Sequence, residues 1–130
     1  MFVDTSAVIS IVCREDDHLD LLQRAHASPH LVTTALVVLE SVMRLSTIFE
    51  EHPSRSYEVV LSLFGELCIT IAPIEPADGK AAVEAFAQYG KGRGHPARLN
   101  LADCLSYACA KNRNIPLLYK GGDFAQTDLR

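Results

Sequence analysis

Four acidic side chains sit at places where chemistry and structure compete for them: Asp4 in "MFVDTSAVIS", Glu40 in "LVVLESVMRL", Asp103 in "LNLADCLSYACAK" and Asp123 in "KGGDF". Hard divalent cations take oxygen ligands, and Mg²⁺ keeps several waters while using few carboxylates. Acids gathered without such a cation repel one another, so at least one of them should hold its proton to unusually high pH. With the cation bound, the same group can polarise a phosphate and make a bound water more acidic. Hydrolysis of a phosphodiester is the chemistry that fits.

Each acid also has a plain structural reading. Asp4 can cap a helix, yet Thr5 and Ser6 offer hydroxyls for that cap, so capping does not require it. Glu40 falls inside the stripe of Leu36, Leu39, Met43 and Thr47, at i, i+3, i+7 and i+11. A carboxylate among apolar side chains is costly without a partner, and Arg44, four residues on, is the simplest one. Asp103 stands three residues after Asn100, the spacing of a capping box. The positive end of the helix favours its charge, which would also keep it ionised for a metal. Asp123 follows two glycines, as turn aspartates do. Taken together, the four are better explained by a shared cation than by four separate structural roles.

The elements that must carry them follow from the apolar pattern. Met1–Val3 reads as a short buried strand and Ser6–Cys13 as a helix capped by Thr5 or Ser6. "REDDHLDLLQRAHAS" reads as a second helix with Leu19, Leu22 and Ala25 at helical spacing. Leu31–Thr33 is a short strand, and Thr33 or Thr34 caps a helix running to about Phe49. Pro53 opens a helix over Ser54–Leu67. "CITIAPI" is a strand bounded by proline, Pro76–Tyr89 a helix, Leu101–Asn112 a helix and "IPLLY" a strand before the "KGGDF" turn. Short strands alternating with helices predict a parallel sheet covered on its faces. Ligands of such sheets bind beyond the carboxyl ends of the strands. Asp4 and Asp123 each follow a strand, so parallel neighbours would put both on one rim.

Length and composition set the frame. A chain of 130 residues fits one domain, 1–130. A net charge of −4 argues against a generic basic nucleic-acid binder but not against a site that holds cations. The segment Met1–Val12 is too short to span a membrane and is interrupted by Asp4. It also lacks the basic start of a signal peptide, so a cytoplasmic protein with no membrane association is expected. Cys13, Cys68, Cys104 and Cys109 show no C-x-x-C spacing and read as reduced core residues. His26 and His30 stand at i, i+4, but the segment between them is Ala-Ser-Pro with no glutamate, so the helical zinc motif H-E-x-x-H is absent. One loop, "GKGRGHPARLN", gathers Lys91, Arg93, His95 and Arg98. These can meet RNA phosphates in a salt-sensitive way, or form a solvated loop made mobile by Gly90, Gly92 and Gly94.

The order and spacing of "VDTSA", the helix-borne Glu40, "LNLADCLSYACAK" and "KGGDF" resemble the PIN-domain nucleases, and most closely the VapC toxins of type II toxin–antitoxin systems. The resemblance runs nearly end to end, and "GKGRGHPARLN" is similar to the same loop in one VapC subgroup. It implies an α/β/α sandwich with a central, mainly parallel sheet. It implies an Mg²⁺- or Mn²⁺-dependent endoribonuclease, an RNA substrate, a cognate VapB-type antitoxin and a homodimer. The family's acids fall on Asp4, Glu40, Asp103 and Asp123, and its supporting hydroxyl falls on Thr5 or Ser6, with Asn100 beside the third acid. On that pattern Asp4 and Asp103 hold the main cation, Glu40 ligates it or orients the attacking water, and Asp123 completes the pocket. The chain departs from the family at Lys120–Gly122, where many relatives carry a hydroxyl residue and a further acid. Asp123 is therefore expected to act through water or to tune the site. Two other readings compete: a housekeeping PIN nuclease of RNA processing without an antitoxin, and a receiver-like module that accepts phosphate on Asp4 with Lys120 as its late lysine.

Overall fold

A computed structural model describes residues 1–129. Four short strands form one sheet: β1 (Phe2–Val3), β2 (Leu31–Thr34), β3 (Ile69–Ala72) and β4 (Leu117–Leu118). All three pairings are parallel and the order is β3-β2-β1-β4. Six helices connect them: α1 (Thr5–Cys13), α2 (His18–His26), α3 (Ala35–Ile48), α4 (Pro53–Glu66), α5 (Pro76–Tyr89) and α6 (Leu101–Asn112). This is the expected α/β class with a parallel sheet.

The strand order has a consequence for function. From β1 the chain steps outward to β2 and β3, then returns to place β4 on the other flank of β1. The connection therefore reverses direction between β1 and β4, and an open α/β sheet leaves its crevice at such a switch point. Phe2 pairs with Leu117 and Val3 with Leu118. The Asp4 amide continues that ladder by donating to the Leu118 carbonyl at 3.0 Å. Asp4 is thus fixed at the carboxyl edge of the central strand, next to the chain leaving β4.

The core is made of residues whose patterns are legible in the sequence. Phe2, Val8, Leu21, Leu45, Val60, Leu99 and Leu118 are buried to 1% exposure or less. Each large apolar side chain so buried is worth about 1.5–3 kcal/mol. Asp78 ties α5 to α6. Its carboxylate accepts from the Glu75 amide at 2.9 Å, from Asn112 Nδ2 at 2.9 Å and from Arg113 Nη1 at 3.2 Å. Burial alone would raise its pKa; these donors outweigh burial and hold it below the usual carboxylate range.

Four expectations need correction. The cap of α1 is Asp4 itself, whose Oδ2 accepts from the Ser6 amide at 2.9 Å, and not Thr5 or Ser6. The second helix starts only at His18, because Asp17 turns its carboxylate to the Ser10 hydroxyl at 2.5 Å instead of capping. The stripe through Leu39, Met43 and Thr47 faces outward, with Leu39 56% and Met43 61% exposed. The buried face of α3 is Val37, Ser41, Val42 and Leu45. Among the cysteines, Cys104 and Cys109 are buried and Cys13 half-buried, but Cys68 is exposed just beyond α4, at a positive φ of 55°. All four are free thiols.

Candidate functional site

Asp4, Glu40, Asp103 and Asp123 line one cavity of about 140 Å³, together with Thr5, Ser6, Arg44, Asn100, Lys120 and Phe124. Each acid comes from a different segment: the end of β1, the middle of α3, the first turn of α6 and the turn after β4. The sheet's switch point brings the first and last together. Asp4 is buried, while Glu40 and Asp103 are half-buried and Asp123 is exposed.

Local donors set the direction of three of the carboxylates. Asp4 Oδ2 accepts from the Ser6 amide at 2.9 Å and the Ser6 hydroxyl at 2.7 Å. The Ser6 oxygen in turn accepts from the Lys120 amide at 3.0 Å, which links β1 to the chain after β4. Glu40 Oε2 accepts from the Thr5 hydroxyl at 2.7 Å. Thr5 and Ser6 therefore each support a different acid. Asp103 forms the expected capping box: its amide donates to Asn100 Oδ1 at 3.0 Å, and its Oδ2 accepts from the Asn100 amide at 2.9 Å. Asp123 stands before a single 3-10 turn, Phe124–Gln126, without capping it through its side chain.

In each of the three held acids one oxygen is engaged, and no protein donor among the described residues holds the other. As the side chains stand, no three His, Cys, Asp or Glu groups among the described residues converge on a single ion position. A few separated oxygens around a small polar cavity fit a hydrated Mg²⁺ or Mn²⁺, which retains water ligands between carboxylates. They do not fit an ion that needs a closed tetrahedral cage. The electrostatics agree. Burial first, and then the nearby charges of Asp4, Glu40 and Asp123, push the Asp103 carboxyl up to about 6 against the pull of the Asn100 amide. A proton is held where four acids crowd and a cation could replace it.

The two cations at the rim differ. Lys120 Nζ meets Glu15 Oε2 at 2.5 Å and Asp17 Oδ1 at 3.1 Å, so its charge is taken up by the α1–α2 turn. It is not free to serve as the lysine of a phospho-accepting receiver. Arg44 forms no ion pair among the described residues. The expected Glu40–Arg44 bridge is absent, and Thr5 serves Glu40 instead.

The basic loop is more ordered than its glycines suggest. Its neck is closed by a parallel bridge between Gly90 and Leu99, with the Lys91 amide donating to the Leu99 carbonyl and the Leu99 amide to the Tyr89 carbonyl, both at 2.9 Å. Lys91, Arg93 and Arg98 are exposed, and the Arg93 guanidinium lies 5.6 Å from the centre of the Phe86 ring. His95 is turned inward. Its ring packs edge-on to Tyr89 at 4.9 Å, and Nδ1 accepts from the Ala97 amide at 3.1 Å, so it anchors the loop. None of these four lines the acid cavity.

Comparison with known proteins is consistent with this geometry. The model of the PIN domain family matches residues 1–129. The chain belongs to the PIN-domain family. Within it, a VapC ribonuclease of Rhizobium meliloti is 36% identical, covering 98% of both chains. Ribonuclease VapC28 of Mycobacterium tuberculosis is 38% identical, covering 100% of this chain and 96% of its own. Ribonuclease VapC42 of the same organism is 35% identical, covering 100% and 97%. Over such coverage this PIN domain is also a member of the VapC group. Among solved structures, Mycobacterium tuberculosis VapC20, described as a sarcin-ricin loop cleaving toxin, superposes with a TM-score of 0.71 over 95% of this chain and 92% of its own. At 17% identity that likeness bears on the fold alone.

Proposed function

We propose that this VapC-family protein is an endoribonuclease toxin that hydrolyses RNA phosphodiester bonds in the acid cavity with Mg²⁺ or Mn²⁺. The observation that carries the reading is the convergence of Asp4, Glu40, Asp103 and Asp123, from four separate segments, on one small polar cavity. The VapC ribonuclease names of relatives similar over the whole chain support RNA as substrate. A divalent cation bound there would supply polarisation of the phosphate and a water acidic enough to attack near neutral pH.

The residues divide the remaining work. Asp4, held by Ser6, and Asp103, held by the Asn100 box, would offer their unclaimed oxygens to the cation. Glu40, fixed by the Thr5 hydroxyl, either joins them or accepts a hydrogen bond from the attacking water and sets its approach. Asp123, on the exposed side, adds negative charge and holds outer water. Lys91, Arg93 and Arg98 meet flanking phosphates on the loop surface.

A cognate VapB-type antitoxin belongs to the same proposal, supported by the relatives' VapC names, and a homodimer belongs to it as what the family resemblance implies. So does a cytoplasmic setting, in keeping with four free thiols and no helix long and apolar enough to cross a membrane among the described residues. Purified protein should cleave RNA with Mg²⁺ or Mn²⁺ and stop when EDTA is added. Cleavage undiminished by EDTA would overturn the metal-dependent mechanism. Co-purification with the product of a small adjacent gene, and relief of cleavage by it, separates a toxin from a housekeeping nuclease.

A further inference from the structure

The rim of the acid cavity contains two cations, Lys120 and Arg44. Lys120 is neutralised by Glu15 and Asp17, so it offers no net charge to a ligand. Arg44 is exposed and has no carboxylate partner among the described residues, although Glu40 stands at i−4 in the favourable order for a helical ion pair. The pair is not formed; the donor on the Glu40 carboxylate is the Thr5 hydroxyl from α1, on Oε2. An unpaired guanidinium is left at the mouth of a site whose other charged groups are four acids and a lysine already paired elsewhere.

From this geometry we infer that Arg44 is a substrate-contacting residue that grips a phosphate of the RNA at the cavity mouth. A guanidinium presents a planar fork of donors that matches two phosphate oxygens and stays charged at any working pH. Four acids in the cavity repel the RNA backbone, and a cation beside them offsets that repulsion at the place where the chain must enter. The basic loop cannot do this, because Lys91, Arg93 and Arg98 do not line the cavity. The role rests on the reading of the acid cavity as the cleavage site.

The test is binding of a labelled single-stranded RNA oligonucleotide across a salt series, with Ca²⁺ in place of Mg²⁺, alongside Ca²⁺ binding by calorimetry. Arg44→Ala should weaken RNA binding about tenfold, as for loss of one charge-assisted contact. It should also reduce the slope of log K against log salt by about 0.7, the value of one single-strand phosphate contact. Arg44→Lys should keep the slope and recover only part of the affinity, because it lacks the fork. Ca²⁺ affinity should be unchanged or tighter in Arg44→Ala. An unchanged RNA slope with tighter Ca²⁺ binding would make Arg44 only a counter-ion to the acids and overturn the inference. Asp4→Asn keeps the two failures apart. If it cleaves like the wild type, the location of the site is lost; if it is inactive while Arg44→Ala binds RNA with the normal slope, only the role of Arg44 is lost.

Discussion

Asp4 has two roles that a single substitution would confuse. It caps α1 through Oδ2 and faces the acid cavity with the rest of its carboxylate. Asp4→Ala should therefore lower stability by about 1 kcal/mol, the usual cost of a lost cap, and also abolish cleavage. Asp4→Asn keeps a capping oxygen and loses only the charge; its melting temperature should stay near wild type while cleavage is lost. Thermal melts read beside RNA cleavage check both halves. The sequence separates these roles, because Thr5 and Ser6 both look like caps. What it lacked was tertiary: Thr5 is claimed by Glu40 and Ser6 by Asp4, across contacts invisible in a linear chain. Glu40 stands out in the sequence as an acid in an apolar stripe, yet most of that stripe faces outward. The periodicity of α3 supports two faces, and only packing chooses Val37, Ser41 and Leu45 as the inner one.

At the scale of elements, α6, which carries Asp103, is tied to α5, and Asp78 is the clamp. Its carboxylate is 2% exposed and joins the start of α5 to the end of α6 through Asn112 and Arg113. Asp78→Ala would leave Arg113 without its partner and should cost about 3–5 kcal/mol, read from chemical denaturation. The loop between these helices shows how composition misleads. Three glycines suggest mobility, but Gly90 is required by packing: a Cβ there would meet the Phe86 carbonyl at 2.4 Å and its ring at 2.3 Å. Gly92 and Gly94 occupy left-handed turns at φ of 83° and 80°. Gly90→Ala should loosen the neck and raise amide exchange at Lys91 and Leu99, whose bonds close it. The β-branched run of β3 and the short apolar runs of the other strands are legible in the sequence, and the order of the strands is not. The switch point that puts Asp4 beside the chain carrying Asp123 emerges only when β4 returns to the far side of β1.

For the whole molecule, pH separates the acids that build the fold from those that serve the site. Asp78 has a depressed pKa, so its stabilisation is present above the ordinary carboxylate range and is lost as pH falls through the depressed value. Asp103 has the opposite sign. Its pKa rises from 3.8 to about 6, so in metal-free protein its contribution is full below about pH 4 and is lost as pH rises through 6. Metal-free Asp103→Asn should therefore melt above metal-free wild type at pH 7.5, and the gap should close near pH 4. A divalent cation bound there would displace that proton, so Mg²⁺ affinity measured by calorimetry should climb with pH up to about 6 and then level off.

The most direct test of the account is the rate at which fold-checked Asp4→Asn cleaves RNA in saturating Mg²⁺, set against wild type with Mg²⁺ and wild type in EDTA. A metal-dependent acid cavity at the β1–β4 switch point predicts that the variant falls to the EDTA level. Cleavage by Asp4→Asn at the wild-type rate would contradict it.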